Sequence, residues 1–361
     1  MEISQVDLSF IRTQANTARH DYIEEMENKL IAFDRRMNEK GFKVYWVSDE
    51  NELTDLVFDL IPQTPYNKFC FDLANTPEAF RNTKAIKPIH FADVESGAAS
   101  ATYLFTQADF AVVETGTLVL LNKNSKNLLN RVPKIFVLLD ISKLVNRPED
   151  LELFLYLRSF YQEGNYLPDD VKLINHPFQL VEKDIASQSD EPTKQPVQIS
   201  IFLYDNGVTH IMQDSVLRES LYCIDCGRCK TVCPMYAYAK EHTPIGIVRD
   251  NCLHHAHDTE HIVKNAMLCG NCDQVCPVQI PISDLILREI ELSRQQHGGT
   301  SHLAKTFERR KKLNKMNGTL RRHFFTKHIY GKNKMLHSYF KQQNNTFYNI
   351  TWLQENAEDD K

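Results

Sequence analysis

The sequence predicts an α/β domain followed by a smaller, mostly helical module, and three observations carry that expectation. Strand-like and helix-like patterns alternate from the N-terminus to about Met212. Two cysteine combs fall in the last third of the chain, Cys223 to Pro234 and Cys269 to Pro277. The stretch between the combs keeps helical spacing instead of the alternation of a strand. A length of 361 residues is enough for a large core plus a second module. The 42% hydrophobic and 25% charged fractions are those of an ordinary globular chain.

Taken in order, Ile11, Ala15, Ala18, Tyr22, Met26, Leu30, Phe33 and Met37 repeat at helical intervals and predict one long first helix. Gly41 stands where a helix end calls for a left-handed residue. Lys43 to Val47 reads as a strand, and Asp49 with Glu52 forms a capping box for a helix running toward Pro62. Phe69-Cys70-Phe71 is a further strand, with Cys70 as a packed core thiol. Thr76-Pro77 is a cap with proline at the first helical position. Ser96 is read as the cap of a helix through Ala108. Phe110 to Val113 and Leu118 to Leu121 read as strands about a glycine, and Ile135 to Leu139 as another. Pro148-Glu149-Asp150 opens a helix carrying Leu151, Phe154, Leu155 and Leu157.

The polar stretch Ser187 to Pro196, with two prolines, is a loop within the domain. Val197 to Met212 alternates about Asp205-Asn206-Gly207, a hairpin signal because Asn and Gly tolerate positive φ in a type I′ turn. Alternating strands and helices of this kind imply a sheet covered by helices. Ser215 to Tyr222 reads as a helix leading into the first comb. Thr243-Pro244 starts a helix bearing Ile245, Val248, Cys252 and His255, and Ile280 to Leu292 begins a closing one. The expected division is 1–213 for the α/β domain, 214–292 for the helical module and 293–361 for a basic helical tail.

Cys223-Ile-Asp-Cys226-Gly-Arg-Cys229-Lys-Thr-Val-Cys233-Pro234 sets three thiols two residues apart and a fourth beside a proline. This is the general two-cluster ferredoxin spacing, in which three thiolates serve one iron-sulfur cube and the fourth serves the other. By that crossover Cys223, Cys226, Cys229 and Cys276 hold one [4Fe-4S] cluster, while Cys233, Cys269 and Cys272 supply three ligands to a second. A complete second comb would have cysteine at 266, where Ala266 stands. The second site is therefore a [3Fe-4S] cluster, a [4Fe-4S] cluster with a non-cysteine ligand, or one that recruits Cys252. His254, His255, His257 and His261 crowd the spacer. One of them replacing the missing cysteine and a plain solvent-facing cluster are both open, as is a separate metal site on His257 and His261. A structural zinc site competes for the Cys-x2-Cys pairs, but a three-thiol comb with proline after both terminal cysteines exceeds what a zinc pair needs.

Nine cysteines, an odd count with seven in the combs, argue for ligands and against a disulfide framework. No apolar run reaches the length of a membrane span, and Met1 to Asp7 lack the features of a secretory signal, so a cytoplasmic protein is expected. The formal charge of −5 hides an asymmetry, since Ser301 to Lys361 holds 13 Lys and Arg against 5 Asp and Glu. Basic and aromatic residues interleave there, yet no nucleic-acid fold motif accompanies them; the expectation is a solvated extension packing on the body or on an acidic partner. No Gly-x-Gly-x-x-Gly turn offers a dinucleotide site, and no Ser-His-Asp or Cys-His nucleophile can be argued. Glu114-Thr115-Gly116-Thr117 is the candidate substrate loop, a turn whose backbone N–H groups would meet a carboxylate or phosphate. A plain strand turn with no ligand explains it equally well.

Ala108 to Leu120, with Pro133 and Ile135 to Leu139, resembles the LUD domain of lactate utilization proteins. The order of that domain, the Asp205-Asn206-Gly207 turn and the two combs is similar to the lactate utilization protein B family, over about Ser96 to Leu292. The resemblance implies a sugar-isomerase and CoA-transferase type of α/β fold, followed by an α-helical two-cluster ferredoxin domain. It also implies that the lone gap at 266 is a shared feature. The function it implies is an iron-sulfur electron-transfer subunit that works with other lactate-utilization subunits and an electron acceptor to oxidise L-lactate to pyruvate, with catalysis on a partner. Another 2-hydroxy acid such as glycolate is the nearest alternative. A redox-sensing or ligand-binding regulator with structural clusters is a third. Residues before about 95 show little of the family and look shortened.

Overall fold

The computed structural model describes residues 5–297 apart from 63, 74–75, 82, 97–98, 122–127, 130, 169, 181–193, 240–242, 254–265 and 267. The chain forms two compact units. One comprises residues 17–160 and 164–209, the other 1–16, 161–163 and 210–361. Residues 5–16 fall in the same unit as the cysteine combs.

The N-terminal pattern is two helices, α1 (Gln5–Glu24) and α2 (Met26–Glu39), not the one expected. Glu25 leaves the helical region at φ −108° and ψ 17°. The buried stripe of Tyr22, Met26, Leu30, Phe33 and Met37 continues through the break, so period alone does not reveal it. Gly41 takes the left-handed conformation expected of it, at φ 91°. After β1 (Lys43–Val47), α3 (Glu50–Leu60) starts on Asp49, whose carboxylate accepts the Asn51 and Glu52 N–H groups. Glu52 in return accepts the Ser48 N–H at 2.7 Å.

Next come β2 (Asn67–Asp72), α4 (Glu78–Arg81), β3 (Ile86–Pro88), α5 (Phe91–Glu95) and β4 (Tyr103–Gln107). The expected helix from Ser96 to Ala108 is thus a correction: α5 ends at Ser96 and a strand follows. Tyr103-Leu104-Phe105-Thr106 is buried on both faces between two neighbouring strands, and aromatic and β-branched side chains fit such a pleated slot better than a helix.

The chain continues through β5 (Phe110–Val112), β6 (Thr117–Leu120), β7 (Lys134–Asp140), β8 (Leu144–Val145), α6 (Pro148–Glu163), β9 (Lys172–Ile174), β10 (Phe178–Leu180), β11 (Lys194–Pro196) and β12 (Gln198–Tyr204). The main sheet is six-stranded and parallel throughout, ordered β1-β12-β7-β4-β2-β3. A smaller sheet, β8-β5-β6-β9, carries the β5–β6 hairpin, and β10 pairs with β11.

The expected hairpin about Asp205-Asn206-Gly207 is not formed. β12 is an interior parallel strand, and the chain turns into α7 (Val208–Met212). Asn206 and Gly207 do adopt positive φ, but Asp205 caps the helix by accepting the Thr209 N–H at 2.8 Å and its hydroxyl at 2.6 Å.

One face of the main sheet is an aromatic core. Phe69 stacks on Tyr103 with centroids 4.5 Å apart, and Phe105 lies 5.7–6.2 Å from Phe71, Phe80, Phe136 and Phe202. Leu53 and Val57 of α3, Ile61 just after it and Phe80 of α4 complete that core. Cys70, on β2, is a fully buried thiol, as expected.

The described residues of the second unit's C-terminal segment form helices and no strand. A 3-10 turn (Leu217–Tyr222) leads to Cys223, followed by α8 (Arg228–Thr231), α9 (Pro234–Ala239), α10 (Pro244–Leu253), α11 (Asn271–Val275) and α12 (Ile282–His297). Thr243 caps α10, its hydroxyl accepting the Gly246 N–H at 3.0 Å. No helix among the described residues is long and apolar enough to cross a membrane. The basic tail lies outside the described residues.

Asp214 ties the 3-10 turn to α12. One carboxylate oxygen accepts the Val216 and Leu217 N–H groups at 2.9 and 3.0 Å, and the other accepts Arg288 Nε and Nη2 at 3.0 and 2.8 Å. Burial pushes this carboxyl up, but the Arg288 and backbone hydrogen bonds more than offset it and hold it below the ordinary carboxylate value. A depressed folded value contributes stability that is present above the unfolded value, about 3.9, and lost as pH falls through the folded one. Acid denaturation of this unit below about pH 4 is expected to be less steep in Asp214→Asn, whose stability at neutral pH is lower. Helical circular dichroism followed against pH checks both.

Candidate metal centre

The two combs fold as a structural repeat. In the first, Asp225 has φ 53° and Gly227 φ 69°, and α8 follows; in the second, Leu268 has φ 53° and Gly270 φ 82°, and α11 follows. A left-handed residue on each side of a cysteine curls the backbone so that successive N–H groups face inward, the geometry of an anion nest. Superposing these positions sets Cys226 on Cys269 and Cys229 on Cys272, and it sets Ala266 where the first comb has Cys223. Ala266 is buried, so the gap read from the sequence is a real position inside the repeat.

Cys223, Cys226 and Cys229 line one cavity of about 190 Å³ together with Cys276 from the other comb. Asp225 and Lys230 stand on its wall beside them. Among the described residues no three His, Cys, Asp or Glu side chains converge tightly enough to hold a single metal ion. Tetrahedral zinc needs all its sulfurs about 2.3 Å from one point, whereas these four surround a volume, as a cube of iron and sulfide requires. The donor set and the space therefore fit an iron-sulfur cluster better than zinc.

Backbone N–H groups point at the sulfurs. Asp225 N–H donates to Cys223 Sγ at 3.4 Å, Tyr236 N–H to Cys233 Sγ at 3.5 Å and Ile280 N–H to Cys276 Sγ at 3.4 Å. Burial pushes the thiols of Cys226, Cys229, Cys269 and Cys276 up to about 12, and the neighbouring sulfurs add to this. Thiols so placed ionise only against a cation, and the N–H groups then stabilise the thiolate.

The remaining ligand candidates also lie near one another, with Cys229 of the first group within electrostatic reach of Cys272. Cys233 is within electrostatic reach of Cys269, and both act on Cys272. Cys272 also neighbours Asp273, whose carboxylate accepts the Ser283 N–H at 2.9 Å. Cys252 belongs to α10, but its side chain is outside the described residues, as are His254, His255, His257 and His261.

The loop Glu114-Thr115-Gly116-Thr117 is the β5–β6 turn, with Gly116 at φ 57°. Two of its N–H groups are engaged within the fold: Gly116 N–H donates to Val112 O at 2.9 Å and Glu114 N–H to Asn146 O at 3.1 Å. Its carbonyls face cations, Arg36 on Glu114 O and Lys40 on Thr115 O and Gly116 O.

Sequence reading missed the N-terminal contribution. Arg12 of α1 donates to Cys276 O from Nη2 at 2.7 Å and from Nε at 3.2 Å, and to Gln274 O at 2.8 Å. Asn16 donates to Val278 O at 2.8 Å. No local signal marks either residue, because their partners lie more than 260 residues away.

Comparison with known proteins matches the LUD domain to residues 31–194 and a 4Fe-4S dicluster domain to residues 219–280. The LUD match begins well before Ser96, so it takes in residues 31–95, which carried little resemblance in the sequence. "Lactate utilization protein B" from Bacillus cereus (strain AH820) and from Bacillus thuringiensis (strain Al Hakam) are each 28% identical over 236 residues, 62% of this chain and 46% of theirs. The chain thus spans about half the length of the curated relatives it matches. A crystal structure of a DUF162 family protein from Deinococcus radiodurans is similar over 50% of this chain and 98% of that one, with a TM-score of 0.35 and 14% identity.

Proposed function

We propose, starting from a chain that joins an LUD domain to a 4Fe-4S dicluster domain, that this protein is the electron-carrying subunit of a lactate-utilization complex. The observation that carries the reading is the cavity where Cys276 of the second comb joins the three thiols of the first. Cys223, Cys226, Cys229 and Cys276 would hold one [4Fe-4S] cluster. Cys233, Cys269 and Cys272 would hold the second, with Cys252 or a spacer histidine as its candidate fourth ligand. Bound there, such clusters accept and release one electron at a time.

The chain's own residues aim N–H groups at the sulfurs and fix the spacing of the ligands. Hydrogen bonds to sulfur stabilise the more negative, reduced state and so raise a cluster's potential. Oxidation of L-lactate to pyruvate releases two electrons, and two one-electron sites on one chain match that demand. Carbon–hydrogen cleavage is assigned to a partner subunit, because the sequence holds no Gly-x-Gly-x-x-Gly turn for a dinucleotide. The names of the similar proteins support lactate over glycolate as the substrate of that complex.

The test begins with anaerobic purification and reconstitution. About seven to eight iron atoms per chain and two distinct EPR signals on reduction are expected. The signals should then appear with L-lactate once the partner subunits are added, and not with glycolate. Protein that stays colourless and iron-free after reconstitution removes the electron-transfer reading. Reduction by glycolate but not lactate removes only the substrate.

A further inference from the structure

We propose that Arg12 is a positioning residue for the first cluster site, holding Cys276 in place across 264 residues of sequence and placing a fixed positive charge beside the site. The inference rests on the electron-transfer reading and adds to it an element that neither comb contains.

Cys276 is the one ligand of its quartet that does not come from the first comb. Cys223, Cys226 and Cys229 are held by their own local turn, whereas Cys276 must be presented from the C-terminal end of α11. The backbone there changes direction, with Cys276 extended at φ −65° and ψ 117° and Gln279 left-handed at φ 55°. Three carbonyls along that bend are taken by α1: Gln274 O and Cys276 O by the Arg12 guanidinium, and Val278 O by Asn16. A planar guanidinium can bridge two carbonyls at once, which an ammonium cannot do with the same fixed geometry. With its carbonyl so held, Cys276 offers its sulfur to the Ile280 N–H and faces the cavity.

The same region collects other cations. Arg12 is bonded to the Cys276 carbonyl, and Arg228 directly precedes Cys229 in the chain. Arg228 lies 5.8 Å from the centroid of the Tyr161 ring, and Gln162 donates to Asp225 O at 3.0 Å. The opposing charge is Asp225, half-exposed and 4.0 Å from Arg249. A cation held beside a redox site favours the more negative, reduced state and so raises its potential.

The experiment uses the full chain, reconstituted anaerobically, as wild type, Arg12→Gln and Arg12→Lys. Chelator-driven iron loss and the midpoint of each cluster are followed by EPR. In Arg12→Gln the first cluster should be lost roughly 10–100-fold more readily and its midpoint should fall, with the second cluster's signal and midpoint unchanged. Arg12→Lys keeps the charge without the two-carbonyl bridge, so its midpoint should stay near wild type while its chelator sensitivity rises. Wild-type behaviour of Arg12→Gln in both readouts overturns the proposal. If Arg12→Gln assembles neither cluster, the lysine variant decides: a labile first cluster beside an intact second supports positioning, and full wild-type resistance overturns it. Iron-free wild-type protein is a different outcome, since it sinks the electron-transfer reading itself.

Discussion

Cys276→Ala is expected to abolish the first cluster and spare the second, although its nearest cysteine in sequence, Cys272, belongs to the second group. The reason is the cavity: Cys276 faces Cys223, Cys226 and Cys229, while Cys272 sits with Cys269 and Cys233. Removing one of four ligands from a buried site leaves an iron without a protein donor, and the alanine offers no replacement. Iron should fall by roughly half, and the EPR signal that survives should be the one lost on Cys272→Ala. Cys70→Ala is the control, because its thiol is buried in β2 as part of the other unit's core; iron content should not change. Loss of the same signal in Cys276→Ala and Cys272→Ala would place both in one cluster and break the crossover.

Phe105→Ala should produce the largest loss of stability. Phe105 is fully buried in the fourth position of the main sheet and meets four aromatic rings within 6.2 Å. Truncation removes the transfer free energy of the ring and leaves a cavity whose walls are themselves large and rigid, so about 3–5 kcal/mol is expected. Set against a domain stability of about 5–15 kcal/mol, that can unfold much of the α/β unit at 37 °C. Leu173→Ala, on the exposed side of β9, should change stability by no more than about 0.5 kcal/mol. Urea denaturation followed by far-UV circular dichroism separates the two, and equal effects would show that the aromatic face is not the main core.

The combs were legible because their chemistry depends on residue type and spacing alone. Three thiols two apart and a proline after the fourth place both ligand groups without knowledge of the fold. The gap at Ala266 was visible for the same reason, and the repeated left-handed turns give it a location in space.

Shorter signals failed where tertiary context decides. Ser96 has the chemistry of a helix cap, yet Tyr103 to Gln107 belongs to a strand, hydrogen-bonded to a parallel strand on each side while its side chains are buried. Asp205-Asn206-Gly207 has the positive φ values of a hairpin turn, but Thr209 gives Asp205 a reason to start a helix. A break at Glu25 leaves the apolar stripe intact and so leaves no trace in the pattern. Arg12 and Asn16 could not be found at all, since their contacts are set by the folded chain and not by any neighbouring residue.

The sheet order bears on how the protein is made. Among the described strands β1 pairs only with β12, Lys43 aligning with Ser200, so this first strand has no described partner until almost 160 further residues exist. At synthesis rates of about 5–20 residues per second, that is a wait of roughly 8 to 30 s with an unpaired apolar edge. Arg12 waits longer still for Cys276. Such long-range pairing slows folding and leaves the nascent chain open to aggregation, so chaperone supply and translation speed should govern the yield of intact protein more than any single contact described above.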